Sequence, residues 1–156
     1  MSSDQTVTGT FNRVLPLPPK ITGLSESNSV FRAGPSSTSL TGHTAARGHR
    51  RGTVFSFRLD RAATVKLAIT RRAKGRRVGH RCVPATRRLR SKRACTRNIT
   101  VATLTRSAQA GLNRLPFSGR LRSRALAPTR YEAVFTAADS AGVSAARALA
   151  FKVVRR

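Results

Sequence analysis

The sequence has 156 residues and is poor in several residue types: it contains no Trp, one Tyr, two Cys and five acidic residues. With so few large aromatic side chains, a core has to rest on the seven Phe residues and on Val, Leu, Ile and Ala. No stretch approaches the roughly 18 consecutive apolar residues of a membrane span, so we expect no transmembrane segment. A chain of this length fits one domain of ordinary size.

The acidic residues are too few and too scattered to suggest an active site. The five are Asp4, Glu26, Asp60, Glu132 and Asp139, and no two suggest a carboxylate pair for acid–base catalysis. The sequence also lacks a G-x-S-x-G nucleophile motif and the glycine patterns that bind phosphates or dinucleotides. We therefore predict a non-enzymatic protein with no catalytic residue, no metal and no cofactor.

Cations greatly outnumber these acids. The chain has 31 Lys and Arg residues, a formal net charge of +26 and a pI near 12.0. Of these cations 26 are Arg, whose planar fork of donors suits phosphate and carboxylate groups. Codon usage in a GC-rich genome would produce the same excess. Under either explanation, a field of this strength attracts polyanions.

Residues 71–97, here called the basic segment, contain twelve cations and no acid. No aromatic residue in the segment could stack on bases, so any nucleic-acid contact would be independent of base sequence. We predict that the segment binds anionic polymers, either a cell-envelope polymer or nucleic acid; a solvated charged face with no dedicated partner is the other interpretation. The predicted polyanion-binding residues are Arg71, Arg72, Lys74, Arg76, Arg77, Arg81, Arg87, Arg88, Arg90, Lys92, Arg93 and Arg97.

Runs of alternating apolar and polar residues lie on both sides of the basic segment. In residues 53–60 Phe55 and Phe57 share one face, and in residues 63–70 Val65, Leu67 and Ile69 share one face, the period expected of strands. Because only a short turn separates the two runs, we predict that they form a hairpin. Gly and Pro residues inside the basic segment argue against a long helix there.

Further runs of this kind follow the basic segment. Ile99 and Val101 are predicted on one side of a strand, and Pro116 marks an edge strand because it cannot donate to a ladder bond. Residues 131–139 and 146–154 complete a count of about seven strands, without a convincing amphipathic helix. We predict an all-β, two-sheet antiparallel sandwich over residues 20–156, preceded by an extended leader or linker at residues 1–19 and interrupted by a mobile loop at residues 34–52.

The two cysteines, Cys82 and Cys95, leave three possibilities open. A disulfide would close a loop worth about 3 kcal/mol and would indicate an oxidising compartment. The alternatives are two free thiols or a zinc site with His80, His43 or His49, although no Cys-x-x-Cys or comparable ligand pair is present.

Several stretches resemble the immunoglobulin-like β-sandwich repeats found towards the C-terminal ends of large exported proteins of actinobacteria and related soil bacteria. They are KGRRVGHRCV at 74–83, CTR at 95–97, GLNRLPFSGRL at 111–121, LAPTRY at 126–131 and ADSAG at 138–142. The resemblance covers residues 20–156 and implies an immunoglobulin-like fold, a Cys82–Cys95 bridge and a tyrosine corner at Tyr131. The departure is Thr129, which stands where the family has Gly.

The resemblance also implies a setting. Such modules act as spacers or display units of exported proteins, so we expect an extracellular or cell-surface module joined to neighbouring domains of a longer chain. The first residues lack the pattern of a secretory signal, so the chain is expected to be either part of a longer exported protein or cytoplasmic. The alternative function is therefore an intracellular protein that binds nucleic acid without sequence preference.

Overall fold

The structure, a computed structural model, describes residues 16–35 and 51–155, and these residues form twelve β-strands and one short 3-10 turn at Arg87–Leu89. The predicted all-β class is confirmed. No helix in the described part of the chain is long and apolar enough to cross a membrane. The strands are β1 Ile21–Glu26, β2 Val30–Arg32, β3 Thr53–Leu59, β4 Ala63–Val78, β5 Arg81–Pro84, β6 Ala94–Ala108, β7 Gly111–Phe117, β8 Arg120–Leu121, β9 Arg124–Ala125, β10 Arg130–Asp139, β11 Gly142–Val143 and β12 Arg147–Val154.

Two sheets contain most of these strands. The first has the order β1-β3-β7, with antiparallel neighbours throughout. The second has the order β2-β12-β10-β4, and β4 then pairs with β6 along most of its length and with β5 at its end. Only β2 and β12 run parallel. β11 pairs with β10, and β8 and β9 form a separate ribbon.

The inward rows of both sheets form one core. Phe55, Phe57 and the other odd-numbered residues of β3 are buried, as are alternate residues of β4 and β10. The rings of Phe55 and Phe135, from the two different sheets, lie 5.4 Å apart in an edge-to-face arrangement, a geometry that aromatic pairs prefer. Tyr131, Phe135 and Phe151 are buried as the alternation predicts.

The predicted hairpin between residues 53–60 and 63–70 is wrong. β3 pairs with β1 and β7, whereas β4 belongs to the other sheet, so the turn at Asp60 crosses from one sheet to the other. Asp60 fixes this crossing, because its carboxylate accepts the backbone N–H of Lys20 at 2.8 Å. That hydrogen bond, aided by Arg61, lowers the pKa of Asp60, while the slight desolvation of the carboxyl raises it.

β4 and β6 are longer than the alternation indicated. β10 pairs with β4 only as far as Thr70, so residues 71–78 continue past the sheet for about 25 Å. We call residues 71–99 the arm. At its base the register between β4 and β6 shifts by one residue. Ile69 is opposite Ala102, whereas the next residue of β4, Thr70, is opposite Thr100.

The shift makes Val101 an extra residue, a β-bulge. The prediction that Ile99 and Val101 share a side is therefore wrong: Ile99 is half-buried, and Val101 is exposed. The predicted leader at residues 1–19 and the predicted loop at residues 34–52 lie largely outside the described residues. The described part of the leader, Pro16 to Pro19, contains no strand.

Candidate polyanion-binding arm

The arm is a three-stranded extension of the second sheet. In it β4 is the central strand, with β6 on one side and the short β5 on the other at the tip. Successive β4 side chains alternate between two faces. One face continues the core side of the sheet and carries Arg71, Ala73, Gly75 and Arg77; we call it the inner face. The opposite, outer face carries Arg72, Lys74, Arg76 and Val78.

A disulfide closes the arm between β5 and β6. Cys82 and Cys95 are bonded, with their Cα atoms 6.0 Å apart, so the predicted bridge is confirmed and the free-thiol and zinc alternatives are wrong. The bridge crosses β4 over Gly75. A Cβ atom at this glycine would lie 2.6 Å from Cys82 Sγ, 2.6 Å from the Val83 carbonyl oxygen and 3.3 Å from Cys95 Sγ. Only glycine therefore leaves room for the bridge.

Hydrogen bonds from β4 hold the loop between β5 and β6 in place. The N–H of Arg77 on β4 donates to the Arg93 carbonyl at 2.9 Å. Within the loop, the N–H of Leu89 donates to the Thr86 carbonyl at 3.1 Å, in the 3-10 turn. The Arg76 guanidinium also donates to the Lys92 carbonyl at 2.9 Å. Arg76 thus supports the loop as well as contributing charge.

The structure brings all twelve predicted cations onto the arm, in three groups. The inner face holds Arg71, Arg77 and Arg97, and the outer face holds Arg72, Lys74, Arg76 and Arg81. The other five lie in the loop between β5 and β6. Ten of the twelve are exposed, and Arg76 and Arg97 are half-buried. The Arg97 Nε is buried and has no hydrogen-bond partner in the described chain. The loop cations are Arg87, Arg88, Arg90, Lys92 and Arg93.

No carboxylate lies within the arm to offset this charge. Among the described residues the only salt bridge joins Asp60 and Arg61. These two residues precede β4, whereas the arm extends from the opposite end of that strand. By register the acid nearest the arm on its sheet is Glu132, opposite Thr70 on β10. The arm therefore presents a field of one sign to solvent.

Tyr131 lies on β10 at the base of the arm. Its hydroxyl donates to the Ala127 carbonyl at 2.9 Å, and its ring stacks on Phe151 at 5.5 Å. Burial raises the pKa of Tyr131, and the nearby charge of Arg71 opposes that rise. The turn before Tyr131 needs no positive φ at Thr129, because Arg122 is the one non-glycine residue of the described chain with a positive φ.

The described residues contain no group of three or more His, Cys, Asp and Glu side chains that could hold a metal ion. His80 lies in the turn between β4 and β5, whereas His43 and His49 lie outside the described residues.

Two features of the arm were not predicted from the sequence. One is Gly75 beneath the bridge, which the sequence shows only as a glycine in a basic run. The other is a row of small polar residues on the outer face of β6, which alternates with half-buried residues from Cys95 onwards. The period of two was therefore visible within residues 94–100.

No protein-family model matches the sequence, and a comparison with curated proteins finds no match.

Proposed function

We propose that this chain is a non-enzymatic, immunoglobulin-like module of an extracellular or cell-surface protein, and that its disulfide-closed basic arm binds anionic polymers. The observation that carries the proposal is the arm itself. Twelve cations and no acid are held on a covalently closed extension that the core does not require.

The strand order supports the immunoglobulin-like part of the proposal. In such folds two sheets pack face to face, and a strand towards the C-terminal end carries a tyrosine corner near its start. Here β1 pairs in one sheet while β2, a few residues later, joins the other sheet parallel to the last strand, β12. The Tyr131 hydroxyl returns to backbone four residues upstream, at the start of β10.

The disulfide supports the exported setting. Disulfides persist in oxidising compartments and are rare in the cytosol, so the bridge favours an exported module over an intracellular nucleic-acid binder. Mass spectrometry of the protein from its native source, with thiols blocked during lysis, tests this point. We expect Cys82 and Cys95 to be bridged, and two blocked thiols would contradict export.

Heparin retention tests the binding part. Replacement of Arg87, Arg88, Arg90 and Arg93 by Gln removes four arm charges, and we expect this variant to elute at clearly lower salt than the unmodified protein. If about six arm cations engage duplex DNA at once, log K should fall with log salt with a slope of about −5.

A control variant removes the same charge elsewhere. Lys20, Arg58, Arg114 and Arg147 are all exposed and lie outside the arm, so their replacement by Gln should shift elution much less. Equal shifts for the two variants would show that total charge, and not the arm, determines binding. Absence of retention by the unmodified protein would refute polyanion binding altogether.

A further inference from the structure

The outer face of β6 carries a row of small polar side chains that is interrupted by the exposed Val101 at the bulge. All of them are exposed, and the bulge at Val101 keeps them on one face, because the extra residue resets the alternation between Ala102 and Thr100. Among the described residues β6 pairs only with β4, so its far edge is open. The row consists of Thr96, Asn98, Thr100, Thr103, Thr105 and Ser107.

On the arm this row runs beside a row of cations. Arg72 is directly opposite Asn98, and Lys74 is directly opposite Thr96. Opposed residues on one face of an antiparallel pair have Cβ atoms about 5 Å apart, and successive residues of each row are about 6.7 Å apart along the strand. Two successive steps along the outer face, Arg72 with Asn98 and Lys74 with Thr96, therefore each offer one cation and one hydroxyl or amide.

These two rows differ in what they can bind. Lys and Arg side chains only donate hydrogen bonds, whereas Thr hydroxyls and the Asn amide both donate and accept. A polymer that places anionic groups and hydroxyl groups side by side satisfies both rows. The phosphates of a DNA backbone can accept hydrogen bonds from both rows. The backbone has no free hydroxyl to donate to the Thr and Asn oxygens, however, and its bases find no aromatic side chain in the arm on which to stack.

We infer that the outer face of the arm is a binding track for a linear acidic polysaccharide, with its carboxylate, sulfate or phosphate groups on Arg72 and Lys74 and its sugar hydroxyls on Thr96, Asn98 and Thr100. The inference rests on the proposed function and specifies its ligand class and its face. Glu132, opposite Thr70 on the β10 side, repels an anion there and directs the polymer along the β4 and β6 side. The five loop cations add long-range attraction without a polar partner row.

A neutral variant tests the polar row. Thr96→Val, Asn98→Ala and Thr100→Val together remove the hydrogen-bonding groups, keep all charge and preserve β-branched side chains at two positions. The probes are an oligogalacturonate and an oligo-dT with the same number of negative charges. We expect the unmodified protein to bind the oligogalacturonate more tightly. The triple variant should lose about tenfold for the oligogalacturonate and clearly less for the oligo-dT, which uses only the donor capacity of these groups. Both salt slopes should stay unchanged.

Two controls complete the experiment. Thr22→Val with Ser25→Ala removes hydroxyls from β1 of the other sheet and should leave both affinities unchanged. Arg72→Gln with Lys74→Gln should weaken oligogalacturonate binding more than Arg87→Gln with Arg88→Gln, although both pairs lose two charges. Thermal melting of each variant shows that the fold persists.

The outcomes separate this inference from the proposed function. Unchanged oligogalacturonate binding by the triple variant, or tighter binding of oligo-dT by the unmodified protein, overturns the track; in the latter case the arm is a nucleic-acid site. Equal losses from the two charge-matched pairs also overturn it, while polyanion binding by the arm still stands. Failure of the unmodified protein to bind either probe overturns the proposed function itself.

Discussion

Gly75→Ala is expected to weaken the disulfide without touching either cysteine. The added Cβ would lie 2.6 Å from Cys82 Sγ and 2.6 Å from the Val83 carbonyl oxygen. The carbonyl belongs to the β5 backbone, which pairs with β4 at this point, so it cannot move aside without loss of that pairing. Overpacking of this kind costs about 1–3 kcal/mol, against the roughly 3 kcal/mol that closure of a loop of this length contributes.

The part of this cost that depends on the bridge is measurable as a reduction potential. If the full cost falls on the oxidised form, the potential rises by about 20–65 mV, because about 30 mV corresponds to 1.4 kcal/mol for a two-electron couple. A glutathione redox series followed by thiol quantitation gives the shift. The same substitution in a Cys82→Ser, Cys95→Ser background isolates the clash with Val83, which does not depend on oxidation.

Gly79→Ala is the control. Gly79 also lies in the arm, but a Cβ there meets no atom within 4 Å, and its φ of +58° makes the cost one of backbone conformation alone. We expect Gly79→Ala to leave the potential unchanged. The reasoning about the bridge over Gly75 fails if the two alanine variants have the same potential, or if the effects of Gly75→Ala and of the cysteine replacements on stability are additive within about 0.5 kcal/mol.

Three further predictions concern the core and its border. Tyr131→Phe removes the hydrogen bond to Ala127 and should cost about 1 kcal/mol in urea unfolding. Because the pKa of Tyr131 is raised, its stability contribution is complete below about pH 10 and is lost as the pH rises through the raised value, so the variant should lack this part of the alkaline loss. Asp60 has a lowered pKa, so its charged form stabilises the fold above about pH 3.9, and this contribution is lost as the pH falls towards the lowered value. Asp60→Asn should therefore remove this part of the acid destabilisation. Phe135→Ala should cost about 3–5 kcal/mol, whereas Leu112→Ala, at a residue 52% exposed, should change stability by no more than about 0.5 kcal/mol; similar costs for the two would contradict the assignment of the core.

The inward faces of the strands could be predicted because a half-buried strand imposes a period of two on its own sequence. The row of Tyr131, Ala133, Phe135 and Ala137 is buried as the alternation predicts. Sheet membership could not be predicted in the same way. Two successive strands give the same alternation whether they pair side by side or face each other across a core, and the turn at Asp60 is short in both cases.

The composition of the candidate site could be predicted from the sequence, but its geometry could not. Charge and the absence of acids identified the twelve cations, yet the basic run masked the alternation of Ala73 and Gly75 with their charged neighbours on β4. The bulge at Val101 could not be recognised in the sequence. An extra residue and a change of face alter the alternation of a strand in the same way, and only the pairing with the partner strand distinguishes them. The division of the cations between two faces therefore required the pairing of β4 with β6.

The position of the charge explains why the fold tolerates it. Two cations about 6.7 Å apart on a strand repel each other by about 0.6 kcal/mol in water, and screening with a Debye length near 8 Å reduces this to about 0.3 kcal/mol. The outer face of β4 has two such pairs, Arg72 with Lys74 and Lys74 with Arg76, so repulsion between neighbours along it amounts to about 0.6 kcal/mol, well below the roughly 3 kcal/mol that the Cys82–Cys95 bridge contributes. The arm tip, however, is about 25 Å past Thr70 along β4, some three Debye lengths away, so its repulsion scarcely reaches the Phe core. The disulfide therefore stabilises the part of the chain in which the cations repel each other. The arm can thus hold a density of charge that a core strand could not.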